Sequence, residues 1–165
     1  MPIVLDANNL ILGRLASEIA KILLGKISEV TGINSEGKTV SLPTEKNNKV
    51  FVVNAEKAVI TGNPKVTTQR YLQRMHIKTL TNPRRGPFHP RQPEAIVKRA
   101  VRGMLPWKKH TGKEAYHRLR IYVGTPEGIS GEAIRLSQYS ADNLTTQRIT
   151  VGEVARRIST YEQRL

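Results

Sequence analysis

Four consecutive β-favouring apolar residues, Val50-Phe51-Val52-Val53, constrain this chain more than any other segment does. Side chains alternate faces along a strand, so an unbroken apolar run needs cover on both faces, as inside a parallel sheet. Parallel neighbours in turn need crossover connections, usually helices, and the chain supplies candidates on either side of the run. Before it, Leu12, Leu15, Ala16, Ile19, Ala20 and Leu23 recur at helical spacing, with Glu18 and Lys21 directed away and Gly25 placed as a C-terminal stop. After it, Ile96, Val97, Ala100, Val101, Met104 and Leu105 form a second stripe, opened by Pro93 as the first helical residue and ended by Pro106.

The remaining segments fill in an α/β pattern. Ile3-Val4-Leu5 reads as a short strand followed by turn and capping residues, Asp6-Ala7-Asn8-Asn9. Residues 27–49 are polar, contain Pro43, and read as an exposed insertion with room for a small hairpin. Asn54 to Gly62 turns out of the sheet, and a helix is expected from Asn63-Pro64 to Met75. From His76 to Gln92 the prolines at 83, 87 and 90 remove backbone donors and force an irregular loop. A helical turn over Lys113 to His117 precedes an alternating strand, Leu119 to Val123, whose Arg120 and Tyr122 point away from its apolar positions. Thr150 and Glu153 then form a capping box for a last helix with Val151, Val154, Ala155 and Ile158 facing inward. Strands alternating with helices imply an α/β sandwich with parallel pairing. The length of 165 residues suits one domain over residues 1–165, with 127–165 as a peripheral C-terminal extension.

Charge locates the function. The formal net charge is +14, yet residues 1–64 hold 7 Lys and Arg against 6 Asp and Glu, and residues 121–165 hold 5 against 5. Residues 65–120 hold 15 Lys and Arg against only Glu94 and Glu114. Like charges repel, so gathering them costs stability unless a polyanion completes the arrangement, and RNA or DNA is the polyanion that fits. The basic segment lacks the bulky apolar face of a membrane-surface helix.

Candidate contacts follow from residue type. Arg84, Arg85 and Arg91 sit in the loop Asn82-Pro83-Arg84-Arg85-Gly86-Pro87-Phe88-His89-Pro90-Arg91, where proline has already stiffened the backbone and reduced the entropy lost on binding. The planar guanidinium suits both phosphate oxygens and the face of an unpaired base. His89 is a candidate beside them; Phe88 either stacks on a base or tucks into the core. Lys98, Arg99 and Arg102 project from the polar side of their helix, and Lys108 and Lys109, after a Trp107 that either packs or stacks, continue the surface toward Lys113, Arg118 and Arg120. Arg70, Arg74 and Lys78 lie upstream in the same basic segment.

Other classes are excluded in turn. No apolar run approaches the roughly 20 residues needed to span a bilayer. Met1 to Asp6 has no secretory signature, so a cytoplasmic protein is expected and the sequon at Asn143 is read as a chance match. The absence of cysteine removes disulfides, thiolate metal sites and cysteine nucleophiles. A metal-dependent nuclease needs clustered carboxylates, which Glu94 and Glu114 do not provide, and four scattered histidines read as further contacts rather than an acid–base pair. No glycine-rich phosphate-binding motif occurs. No catalytic residue, metal, cofactor or small-molecule substrate is expected.

Three separated blocks resemble a universal family of large-subunit ribosomal proteins, the one numbered thirteen. They are Leu12-Gly13-Arg14-Leu15-Ala16-Ser17, Val53-Asn54-Ala55-Glu56-Lys57 with Thr61-Gly62, and Arg99-Ala100-Val101-Arg102-Gly103-Met104-Leu105-Pro106. With Arg85-Gly86-Pro87-Phe88-His89, the last block resembles the archaeal and eukaryotic branch. The likeness spans roughly residues 3–126 and is weaker after Gly128, and residues 27–49 are longer than the family's usual link. It implies a three-layer α/β/α sandwich around a four-stranded, mainly parallel sheet, carrying basic-loop and C-terminal helix extensions. It also implies a structural role on large-subunit ribosomal RNA during assembly, beside neighbouring ribosomal proteins. A free-standing RNA- or DNA-binding regulator or chromatin protein would use the same basic face.

Overall fold

The computed structural model describes residues 2–162 apart from 35, 46, 130, 132 and 143; Asn143 of the sequon therefore lies outside the described residues. The chain runs β1 (Ile3–Asp6), α1 (Leu12–Leu23), β2 (Glu29–Ile33), β3 (Thr39–Pro43), β4 (Val50–Val53), β5 (Val59–Thr61), α2 (Pro64–His76), α3 (Pro93–Met104), α4 (His110–His117), β6 (Leu119–Ile121), β7 (Ala133–Arg135), β8 (Arg148–Thr150) and α5 (Val151–Glu162), with short 3-10 turns between. No helix among these residues is long and apolar enough to cross a membrane.

The α/β sandwich is present, but its sheet is six-stranded and mixed, in the order β3-β2-β7-β1-β4-β6, not four-stranded and parallel. The four parallel strands are β7, β1, β4 and β6. The polar insertion adds the rest: β2 and β3 form an antiparallel hairpin, and β2 joins β7 through the single pair Ile33 and Arg135. Gly32 makes that junction possible, because a Cβ there would sit 2.1 Å from Ile134 Cγ2 and 2.8 Å from the Arg135 carbonyl oxygen. Gly32→Ala should lower stability by about 1–3 kcal/mol, since the strands must part to admit the methyl group. A urea titration by circular dichroism measures it; an unchanged midpoint would mean that the hairpin moves freely.

Parity along the strands decides the core. Ile3 and Leu5 of β1, Val50 and Val52 of β4, and Leu119 and Ile121 of β6 turn one way and are buried with α1 and α3, which pack on each other. The alternate positions hold Val4, Phe51 and Arg120, with Phe51 paired in register to Arg120 and edge-on to Tyr122 at 6.2 Å. The apolar run is therefore covered unevenly: Val50, Val52 and Val53 are buried, whereas Phe51 is half-buried because its face is shared with an exposed arginine. The strand beginning at Leu119 ends at Ile121, although the Tyr122 amide still donates to the Val52 carbonyl.

Helix α1 ends at its expected glycine but is capped at its start differently from the pattern. Its N-cap is Ile11, without a side-chain cap; Asp6 instead accepts from the Asn8 amide and the Asn54 side chain, and Asn9 adopts φ 55°. The polar tetrad thus builds the turn that leaves β1, too early to reach the helix amides. At the other end Gly25 takes φ 64° and the Lys26 amide reaches back to the Lys21 carbonyl, the left-handed stop that only glycine adopts without a Cβ penalty. Glu18 does not face away: it is 8% exposed, with its carboxylate held by Lys21 Nζ and the Tyr139 hydroxyl, each at 3.0 Å. Those two donors compensate the cost of burying it.

Residues 127–165, expected as a peripheral extension, supply β7 inside the main sheet, Val151 and Ala155 to the main core, and a small second apolar cluster. There β8 pairs antiparallel with β5, and Ile149, Val154 and Ile158 pack against Ile60, Tyr71, Leu72 and Met75 of β5 and α2. The Glu153 amide donates to Thr150 Oγ1 at 3.2 Å, the half of the capping box that starts α5.

Candidate nucleic-acid interface

The basic segment is assembled from α2, residues 77–92, α3 and α4. Asn63 caps α2 by accepting from the Lys65 amide, and Pro64 fills the first helical position, where no donor is required. This leaves Arg70 and Arg74 exposed on a helix whose inner side meets α5. Helix α3 starts at Pro93 and buries Ile96, Val97 and Val101. Met104, expected in that stripe, is 43% exposed, because the helix ends there and Leu105 takes the last core position.

Between these helices the proline-rich segment is ordered by its own polar groups. The Asn82 side chain accepts from the Arg84 amide at 3.2 Å, and the Asn82 carbonyl accepts from Thr79 Oγ1 at 2.7 Å. The result is a tight turn at Pro83–Arg85 with Arg84 and Arg85 exposed. Arg99 then ties the segment to α3, donating from Nη1 to the Phe88 carbonyl at 2.8 Å. The two alternatives for Phe88 resolve against the core, since its ring is 79% exposed. His89 is half-buried near Arg99 and Arg74; burial first, and then these two guanidinium groups, hold its pKa below the ordinary value. At neutral pH it therefore presents an uncharged ring, and Lys78 and Arg91 line the cleft beside it.

Helices α3 and α4 are joined by a run of stacked groups. Arg102 lies over the Trp107 ring at 4.0 Å, Trp107 meets Tyr116 edge-on at 5.1 Å and 88°, and Lys98 Nζ stands 5.1 Å above Tyr116. Trp107 is thus a packing residue that also orients a cation, and Tyr116, which no motif singled out, is the element that links Lys98 to it. Cation–π contacts of this kind are worth about 0.5–1 kcal/mol at exposed sites. Their larger effect is to hold Arg102 and Lys98 in place before any ligand arrives.

The cations do not all gather on this surface. Lys108, Lys109 and Lys113 are exposed around the start of α4. Arg118 turns inward, donating from Nη2 to the Leu23 carbonyl at 2.8 Å, where it neutralises the C-terminal end of α1. Arg120 lies on the Phe51 side of the sheet and donates to the carbonyls of His117 and Leu119. Sequence spacing placed both with the others because it carries no information about which distant carbonyl a residue at a helix end will meet or which side of the sheet a short edge strand presents. Among the described residues no group of three or more His, Asp or Glu is placed to hold a metal ion.

Comparison with known proteins agrees with the blocks read in the sequence. The chain matches the family described as ribosomal protein L13 over residues 1–128. It is 39% identical over 155 residues to the large ribosomal subunit protein uL13 of Methanococcus maripaludis, covering 93% of this chain and 95% of that one. It is 40% identical over 156 residues to the uL13 of Archaeoglobus fulgidus, with 93% and 85% covered. For the uL13 of Sulfolobus acidocaldarius the identity is 38% over 163 residues, with 98% and 95% covered. Likeness of this extent, in the same order along nearly the whole chain, makes the protein a member of the ribosomal protein L13 family.

Proposed function

We propose that the protein is a structural constituent of the large ribosomal subunit and that the surface built by α2, residues 77–92, α3 and the start of α4 lies against large-subunit RNA. The observation that carries this reading is the concentration of charge: 15 Lys and Arg against two carboxylates in residues 65–120, with Arg70, Arg74, Lys78, Arg84, Arg85 and Arg91 exposed on contiguous elements. Two features favour RNA over a uniform charged rod. The cations vary in height and orientation, some on helices and some on a stiff loop, which suits the irregular backbone of a folded RNA. Arg99 and Arg102 are pre-positioned by the Phe88 carbonyl and the Trp107 ring, so ordering them on binding loses little entropy.

On this reading Arg118 and Arg120 contribute to the fold rather than to the contact. Family membership, together with the naming of its relatives as large ribosomal subunit proteins, supports the ribosome over a free-standing regulator. The protein has a scaffolding role: it brings cations to phosphate.

Salt titration tests the electrostatic basis. About 6 to 10 phosphate contacts would lose roughly 10³ to 10⁵ in affinity for large-subunit RNA between 50 and 200 mM salt, because each contact releases condensed counterions. Filter binding across that range should give a steep straight line in log–log form. A flat response would sink the reading, and so would sedimentation of the protein mainly with light fractions, away from the large subunit.

A further inference from the structure

His89 also lines a second, smaller cavity between α2, Pro90 and α3, with a volume of about 220 Å³. That is below the roughly 300–1,000 Å³ of sites that enclose a whole small molecule, so it has room for a chemical group but not for a nucleotide. Its floor is neutral: Ile96 and Ala100 come from α3, and burial raises the pKa of Tyr71, which keeps the hydroxyl protonated. Its charge comes from three elements, Arg74 on α2, Arg99 on α3 and the His89 ring on the segment between them, and none of the residues lining it is a carboxylate. Arg99 is anchored by one of a guanidinium's five donors, on the Phe88 carbonyl, which leaves the others to a ligand. Burial, then Arg99, then Arg74 hold the His89 pKa below its ordinary value, so the two guanidinium groups act on the ring as net positive charge.

We infer that this cavity seats one phosphate group of the RNA backbone, held between Arg74 and Arg99 with the His89 ring beside it. The inference rests on the RNA-binding reading above and narrows it to one group and one place. Donors that approach from three different elements need an acceptor whose oxygens point in several directions, as those of a tetrahedral phosphate do. A carboxylate presents two oxygens in one plane, and a single guanidinium fork satisfies both. Seating the phosphate has a further consequence for His89. The anion offsets the two guanidinium charges that oppose protonation and raises the ring's pKa, so binding takes up a proton and RNA affinity rises as pH falls through the ring's titration range. Among the residues lining its two clefts, the charged or titratable groups are Tyr71 and Arg74 from α2, Arg99 from α3, and Lys78 and Arg91 from its own segment. None of these is negative at neutral pH, so the anion that produces the rise is the ligand.

The test follows the His89 ring by proton NMR in the full-length protein, with His89→Gln identifying its signal. Titrations are run on the free protein and with three additions: the fragment of large-subunit RNA that the protein protects from nuclease, inorganic phosphate, and acetate. The free ring should titrate below the ordinary value of about 6.5. Saturating RNA should raise that midpoint, inorganic phosphate should raise it less, and acetate should leave it in place. Between pH 8 and pH 6 the wild-type protein should gain roughly 3-fold more RNA affinity than His89→Gln gains, as expected when binding raises a pKa by about one unit. Arg74→Gln should weaken binding about 5-fold and make the log–log salt slope shallower by about 1. An unchanged His89 midpoint in an RNA complex that keeps its steep salt dependence overturns the phosphate seat and leaves the RNA reading standing. Failure of the wild-type protein to bind RNA overturns both. A rise with acetate equal to that with phosphate assigns the cavity to a carboxylate of a neighbouring protein, and a rise with inorganic phosphate but none with RNA assigns it to a free ion; either result overturns the backbone seat.

Discussion

Val101→Asp should abolish the folded state at 25 °C. Val101 is fully buried in the middle of α3, within the cluster that joins α1, α3 and the helix-facing side of β1, β4 and β6. A carboxylate at that point must either lose its hydration or take up a proton, at a cost of several kcal/mol, comparable with the roughly 5–15 kcal/mol by which a whole domain is stable. Val101→Ala separates charge from volume. It deletes apolar contacts without introducing a polar group and should remain folded with a loss of about 2 kcal/mol. Circular dichroism with urea titration distinguishes the two variants. A cooperative transition near the wild-type midpoint for Val101→Asp would mean that α3 does not pack on the sheet.

Reversing two charges on the same helix should have the opposite character, a loss of binding with little loss of fold. Arg99→Glu with Arg102→Glu replaces two attractions to phosphate by two repulsions. Each contact is worth about 1 kcal/mol in water and more near a protein surface, so the pair should weaken RNA binding roughly 10²- to 10³-fold. The log–log salt slope should become shallower by about 2, one unit for each lost phosphate contact. Both residues are exposed, so no charge is buried. The fold loses one hydrogen bond to the Phe88 carbonyl and one stacking contact with Trp107, each on the order of 1 kcal/mol. The melting temperature should fall by a few degrees and the circular dichroism spectrum should persist. A folded double variant that binds RNA at wild-type affinity would remove α3 from the interface.

The contrast between those neighbouring positions was readable without coordinates, because a helix repeats its faces within one turn. The stripes of α1 and α3, the proline start and asparagine cap of α2, and the glycine stop of α1 are each specified by residues within a few positions of one another. Where several residues share a pattern but only one place is available, the pattern overreached. Met104 continued the stripe of α3 although the helix was ending, and Glu18 lay opposite the α1 stripe yet is covered by Tyr139 from far along the chain.

The candidate interface divides the same way. Charge distribution along the chain was enough to name the basic segment, and proline placement was enough to show that part of it is a stiff loop. Nothing in the segment announced that Arg118 would close the end of α1, or that Tyr116 would stand between Lys98 and Trp107. Those partners are set by the approach of helices to one another and to the sheet.

By itself, the amino-acid sequence determined the helices, the apolar strand run, the sign and location of the charge, and the blocks that mark the family. Tertiary structure alone decided that β7 sits beside β1, that the 29–43 hairpin makes the sheet mixed, and which cations share a surface. The physical reason is that periodicity and charge are properties of side chains near one another in sequence, whereas strands pair through backbone amides and carbonyls that every residue carries. A three-residue strand such as Ala133–Arg135 has too few side chains to show a period, and its partner is chosen by the geometry left open at the edge of β1.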